Sequence, residues 1–218
     1  MLILGILASG GGTNFQAIID SIESGFLKAD IAVLITDNPE AHAVERAKKH
    51  NIEPLVLRPK DFTDKNAYYS HIAGELRKRG VELVILAGFM RVVGKTLIDQ
   101  YRDRIMNIHP ALLPSFPGLH GQKQAADYGV KISGCTVHFV DEGMDTGPII
   151  IQASVPAYHD DSEESLGKRI LAQEHKIFPY AIRLYSEGRI SINGRKVVIT
   201  GERQDESMIN PPLAHPHP

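Results

Sequence analysis

The chain has 218 residues and a mass of 24.0 kDa, 43% apolar and 23% charged, with a net charge of −2. Lys and Arg are scattered among Glu and Asp, which argues against a nucleic-acid partner, and no apolar run approaches the roughly 20 residues of a membrane span. A single cysteine, Cys135, excludes an intramolecular disulfide and a cysteine-rich metal site.

From the N-terminus, Met1 to Ala8 is apolar but short, has no basic leader and runs into Ser-Gly-Gly-Gly, so it reads as a strand and not as a secretory signal; a reducing cytoplasm is the expected setting. Leu2–Ala8, Ile31–Thr36, Pro54–Leu57 and Leu83–Ala87 are compact apolar runs, the pattern of strands covered on both faces. Helix-length segments separate them. Phe15, Ile18, Ile19 and Ile22 fall at i, i+3, i+4 and i+7, with Gly25 placed to end that helix. A second helix is predicted over Pro39 to Lys49, and a third over Asp64 to Arg79, with Tyr68, Ile72 and Leu76 as its stripe and Gly80 after it. This alternation predicts an α/β fold with a doubly wound, mostly parallel sheet.

The second half changes character. Ile105–Ile108 is a short strand that ends at His109-Pro110, followed by a proline-punctuated loop to Gly118 and a short helix over Gln122–Tyr128. Ser133–Val140 and Pro148–Val155 should pair as a hairpin across the turn-forming stretch Asp141–Gly147. Ser162 to Ser186 is the longest helical pattern, with a capping signal at its start, and Val197–Ile199 reads as a last strand. One domain is expected over residues 1–203. Residues 204–218 are expected to be a disordered tail, four prolines and two histidines standing among the last nine residues.

Three segments could carry chemistry. Ser9-Gly10-Gly11-Gly12-Thr13-Asn14 lies between the first strand and first helix, where a glycine turn and a helix N-terminus suit an anion. The spacing is neither G-x-G-x-x-G nor a P-loop, so a single phosphate fits better than a dinucleotide or ATP. Three glycines in a row exceed what a plain turn requires. In Asn107-Ile108-His109-Pro110, residues i and i+2 of an extended strand share a face, so Asn107 and His109 project together while Ile108 faces the core. An Asn amide can donate to an oxygen gaining negative charge, and a His can exchange protons near neutral pH. The third piece is Asp145, in the loop Asp141-Glu142-Gly143-Met144-Asp145; a carboxylate near His109 would favour the imidazolium and orient the ring. Taken singly, the last two segments read better as a satisfied strand-end histidine and a solvated turn. His138 is either a second site histidine or a buried structural one. No close metal-ligand spacing occurs among the histidines outside the tail, so no metal is expected. Cys135 reads as a small core residue.

Together these motifs resemble the phosphoribosylglycinamide formyltransferase family. The resemblance runs in order through SGGGTN, LAGFMR at Leu86–Arg91, NIHPALLPSFPG at Asn107–Gly118, HFVDEGMDTGPI at His138–Ile149 and QEH at Gln173–His175. It implies a Rossmann-like formyltransferase fold with a C-terminal β-hairpin and long helix. It also implies transfer of a formyl group from the co-substrate 10-formyltetrahydrofolate to the amine of 5′-phosphoribosylglycinamide, in purine biosynthesis. By motif, Gly12, Thr13 and Asn14 would bind the phosphate and Glu174 the ribonucleotide. Met90, Arg91, Val92 and Val93 would line the folate pocket with Asn107 and the Asp141, Glu142 and Asp145 loop, and Asn107, His109 and Asp145 would be catalytic. Lys65 stands where the family has an Arg against the folate. A monomer or homodimer is expected.

Two rivals share features of this pattern. A formyltetrahydrofolate hydrolase usually carries an N-terminal regulatory domain and a methionyl-tRNA formyltransferase a C-terminal one, and neither is expected here. A non-catalytic phosphate-binding module explains SGGGTN but leaves Asn107, His109 and Asp145 idle.

Overall fold

In the computed structural model, residues 1–201 are described; the expected tail over 204–218 lies outside them. A seven-stranded sheet runs in the order β3-β2-β1-β4-β5-β6-β7, from β1 (Leu2–Leu7), β2 (Ala29–Thr36), β3 (Pro54–Val56), β4 (Leu83–Leu86), β5 (Ile105–His109), β6 (Ile132–Phe139) and β7 (Ile149–Pro156). The pairs from β3 through β5 are parallel, whereas β5–β6 and β6–β7 are antiparallel. The expected mostly parallel sheet and the hairpin are both present. The C-terminal strand is one arm of a separate two-stranded sheet, β8 (Ile190–Asn193) with β9 (Lys196–Ile199).

Alternation along the strands splits the core into two layers. Leu83 and Ile85 of β4 face one layer, with Phe15, Ile18 and Ile19 of α1 (Thr13–Glu23), Ala43 and Ala47 of α2 (His42–Lys49), and Phe178 and Ile182 of α6 (Glu163–Ser186). Val84 and Leu86 face the other, with Tyr68, Tyr69, Ile72 and Leu76 of α3 (Lys65–Lys78) and Leu97 and Ile98 of α4 (Lys95–Gln100). Each large apolar side chain so buried contributes about 1.5–3 kcal/mol, and helices on both faces explain why β4 has no polar side at all.

Most strand ends shift by a residue or two, and the helices differ more plainly. α2 begins at His42, not Pro39, because Asn38 closes a turn first: its side-chain Oδ1 accepts from Glu40 N–H at 3.0 Å and its carbonyl from Ala41 N–H at 3.2 Å. The short helix α5 (Gly121–Tyr128) starts one residue early. α4 is an addition to the expected elements; its six residues carry too little periodicity to show as a helix. α3 is capped by Asp64, whose Oδ1 accepts from Ala67 N–H at 2.8 Å, and α6 by Ser162 in a reciprocal bond with Ser165.

Candidate active site

The strand order reverses between β1 and β4, so the crevice of this sheet opens at their carboxyl ends. The glycine turn follows β1 there, and Gly88 to Met90 follow β4. The two segments are tied together: Ser9 N–H donates to the Gly88 carbonyl at 3.0 Å, and Met90 N–H to Ser9 Oγ at 3.0 Å.

The turn itself is polarised. Four successive carbonyls are occupied: Ser9 by Asn38 Nδ2 at 3.4 Å, Gly10 by Ala43 N–H at 3.2 Å, Gly11 by Arg46 Nε at 2.9 Å and Gly12 by Gln16 N–H at 2.9 Å. The N–H groups from Gly10 to Asn14 have no acceptor among the described residues. No side chain caps α1, and its first turn holds no acidic residue. Gly12 has φ of 67°, and a Cβ there would lie 2.9 Å from Ala43 Cβ, so glycine is required. Gly10 and Gly11 face open space, which leaves their N–H groups room to meet an anion.

Thr13 is exposed at this turn and Asn14 buried behind it. Asn14 Nδ2 donates to Glu174 Oε2 at 2.8 Å, bringing together two residues 160 positions apart. Burial pushes the Glu174 carboxyl above its ordinary value, an effect the Asn14 bond partly opposes. Asn14 Oδ1 is buried with no partner. Leaving such an acceptor unpaired costs about 1–3 kcal/mol.

Asn107, His109 and Asp145 do converge. His109 Nδ1 lies 3.4 Å from Asp145 Oδ2, and His138 Nε2 lies 3.7 Å from Asp145 Oδ1, so one carboxylate stands between two imidazoles. Asn107 Nδ2 is 3.1 Å from His138 Nε2. Asp145 adopts φ of 54° and is fixed by Gly118 N–H, which donates to Oδ2 at 2.7 Å. The loop reaches this position because Gly147 passes so close to β6 that a Cβ would sit 1.8 Å from the Phe139 carbonyl. His138 is thereby placed within the cluster, and burial lowers its pKa below the usual histidine value.

His109 ends β5 at the carboxyl edge of the sheet. It is 3% exposed, beneath the Pro110–Gly118 loop, with Nε2 2.7 Å from the Phe116 carbonyl. Acceptors therefore flank both ring nitrogens. Thr136 holds that loop down: its Oγ1 donates to the Ala111 carbonyl at 2.7 Å and accepts from Leu113 N–H at 3.0 Å. Thr136 and Gln152, which bonds both Leu113 and Thr136, carry no sequence signal of this role because neither lies in a motif.

The predicted folate residues divide. Lys65, Met90, Arg91 and Val92 line one cavity of about 480 Å³ together with Tyr68 and Tyr69. Arg91 Nε is held by Asp37 Oδ2 at 2.5 Å, and Tyr69 Oη donates to the Val92 carbonyl at 2.9 Å. Val93 does not line it: the side chain is buried among the α3 and α4 residues, since it alternates inward from exposed Val92. Glu142 is likewise turned outward, 3.1 Å from Lys95 Nζ, and Asp141 closes its own loop by accepting from Thr146 Oγ1 at 2.6 Å. The cavity lining thus carries two tyrosine rings, the cationic Lys65 and Arg91, and one acidic side chain, Asp64. Among the described residues no group of three His, Cys, Asp or Glu could hold a metal ion, and no helix is long and apolar enough to cross a membrane.

Residues 3–182 match the model of the formyl transferase family. The phosphoribosylglycinamide formyltransferase of Bacillus subtilis is 44% identical over 178 residues, covering 82% of this chain and 91% of that protein. The trifunctional purine biosynthetic protein adenosine-3 of Drosophila melanogaster is 45% identical over 190 residues, but this chain spans only 14% of its length. The crystal structure of glycinamide ribonucleotide transformylase 1 from Symbiobacterium toebii superposes with a TM-score of 0.90 at 48% identity, covering 91% of this chain and 94% of that one. With a glycine turn, an amide–imidazole–carboxylate cluster and an aromatic cavity on one sheet rim, the chain belongs to the formyl transferase family.

Proposed function

We propose that this protein transfers the formyl group of 10-formyltetrahydrofolate to the amine of 5′-phosphoribosylglycinamide, giving formylglycinamide ribonucleotide and tetrahydrofolate, as a cytoplasmic enzyme of purine biosynthesis. The observation that carries the reading is the placement of Asn107, His109 and Asp145 in one cluster, with His109 Nδ1 and Asp145 Oδ2 3.4 Å apart. In this reading the N–H groups of the glycine turn hold the phosphate, and Asn14 and Glu174 meet the ribonucleotide. Lys65, Met90, Arg91 and Val92 hold the folate. The substrate amine attacks the formyl carbon, Asn107 and protonated His109 donate to the oxygen that gains charge, and as the carbon–nitrogen bond to the folate breaks, the departing nitrogen takes up the proton that the amine gives up. Asp145 keeps the imidazolium oriented. Since Nε2 of His109 rests on the Phe116 carbonyl, the ring exchanges that acceptor for the substrate oxygen when both ligands are bound. No covalent enzyme intermediate is required.

The test is spectrophotometric: mix the protein with 10-formyltetrahydrofolate and follow deformylation with and without the ribonucleotide. Dependence on the ribonucleotide is the expected result. Equal rates in its absence indicate a hydrolase, and no reaction indicates a binding module.

A further inference from the structure

The glycine turn presents its N–H groups only because its carbonyls are drawn the other way, and the residue that draws the central one lies outside every motif. Arg46, half-buried on α2, spans two acceptors: its Nε donates to the Gly11 carbonyl at 2.9 Å and its Nη1 to Gln16 Oε1 at 3.0 Å. Gln16 cannot turn its amide around. Its Nε2 donates to Asp20 Oδ1 at 2.8 Å and faces His50 Nε2 at 3.1 Å, while His50 Nδ1 meets Glu23 Oε1 at 2.6 Å. A chain of bonds thus runs from Glu23 at the surface to the backbone of the turn.

We propose that Arg46, held by Gln16, is the positioning residue that turns the Gly11 carbonyl away from the anion seat and so sets the turn's preference for a phosphorylated substrate. The inference rests on the reading of the turn as a phosphate site. A carbonyl oxygen facing a phosphate would repel it, and Gly11, where an added Cβ would meet nothing within 4 Å, has no side-chain packing of its own to keep the peptide in this orientation. The planar guanidinium supplies two donors in directions a single ammonium cannot match. The arginine acts through the turn's geometry, not merely as a nearby charge.

The experiment compares kcat/KM for 5′-phosphoribosylglycinamide and for the same glycinamide riboside without its phosphate, in the wild type, Arg46→Ala, Arg46→Lys and Gln16→Leu. The preference for the phosphorylated substrate should fall about tenfold in Arg46→Ala, the size of one lost charge-assisted hydrogen bond. The loss should appear in KM and not in kcat. Arg46→Lys should fail to restore it, and Gln16→Leu should move the same way by a smaller factor. A preference kept in Arg46→Ala overturns the inference, as does full recovery in Arg46→Lys, which would show that bare charge suffices. Equal losses on both substrates with a lowered melting temperature would reduce Arg46 to a structural role and also overturn it. A wild type without preference for the phosphate overturns the underlying reading first.

Discussion

Asn107 and His138 are paired across β5 and β6, with Asn107 Nδ2 3.1 Å from His138 Nε2 and His138 Nδ1 2.8 Å from the Phe139 carbonyl. A carbonyl only accepts, so Nδ1 carries the proton and Nε2 accepts from the amide. Burial, which lowers the His138 pKa, keeps the ring in that neutral form. The Asn107 amide is thereby held with its nitrogen toward β6 and a second N–H left to donate. Replacing Asn107 with Ala should lower turnover by about 10²–10³ with little change in melting temperature. Near-normal steady-state turnover in that variant would remove Asn107 from the mechanism.

Asp145 offers a cleaner charge test than most active-site carboxylates. Its φ of 54° lies in the left-handed region, which Asn tolerates, and Asn can still accept from Gly118 N–H. Asp145→Asn should therefore fold normally and lose about 10²–10⁴ in turnover through the missing charge beside His109. Asp145→Ala should add a stability loss of about 1–3 kcal/mol, seen as a lower denaturant midpoint. Wild-type turnover in the Asn variant would contradict the role.

The buried Glu174 carboxyl makes stability depend on pH in a predictable direction. Its folded pKa is raised above the ordinary 4.5 by burial, so the native state binds this proton more tightly than the unfolded chain. The stability this gives is present below pH 4.5 and is lost as pH rises through the raised value. Glu174→Gln has no such loss. Urea unfolding under mildly acidic and mildly alkaline conditions should show the variant gaining on the wild type at the higher pH, while its affinity for the ribonucleotide falls. Parallel curves at the two pH values would refute the assignment.

Lys65 lines the aromatic cavity with its Nζ 5.9 Å from the Tyr69 ring centre. At an open rim a single cation contributes modestly, so Lys65→Ala should raise the folate KM about two- to fivefold. Lys65→Arg should match or improve on the wild type, because a guanidinium can bind a carboxylate through two bonds. An unchanged folate KM in both variants would place the folate elsewhere.

Cys135 is fully buried in β6, and burial pushes its thiol up to about 12. Such a thiol holds almost no thiolate at neutral pH. An aromatic disulfide reagent should label it only as fast as the protein unfolds. Rapid stoichiometric labelling of the native protein would argue against the core reading.

The parallel half of the sheet is legible in the sequence because β1, β2 and β4 are apolar on both faces and helices with clear stripes lie between them. The cluster is legible only partly. The i, i+2 spacing places Asn107 and His109 on one side of β5, yet it cannot show that a loop folds over His109 or that Phe116 supplies its acceptor. Glu142 and Val93 lie away from the cavity for local reasons: one is drawn to Lys95 of a helix the periodicity does not show, and the other alternates into the core. Arg46 is invisible, since a basic residue on a basic helix looks like solvent-facing charge until the fold brings it to Gly11, 35 positions away.

β5 is bonded on both sides, to β4 through Leu86–Asn107 and to β6 through Asn107–His138. Breathing motions that free its amides must therefore separate both strand pairs at once, near the cost of losing the whole native state, whereas the glycine turn opens without disturbing the ladder. Hydrogen exchange should find the slowest protons of the molecule under the reacting groups and some of the fastest where the ligand is grasped. On the function proposed above, catalytic precision and ligand entry would fall to stretches of backbone with opposite mobility.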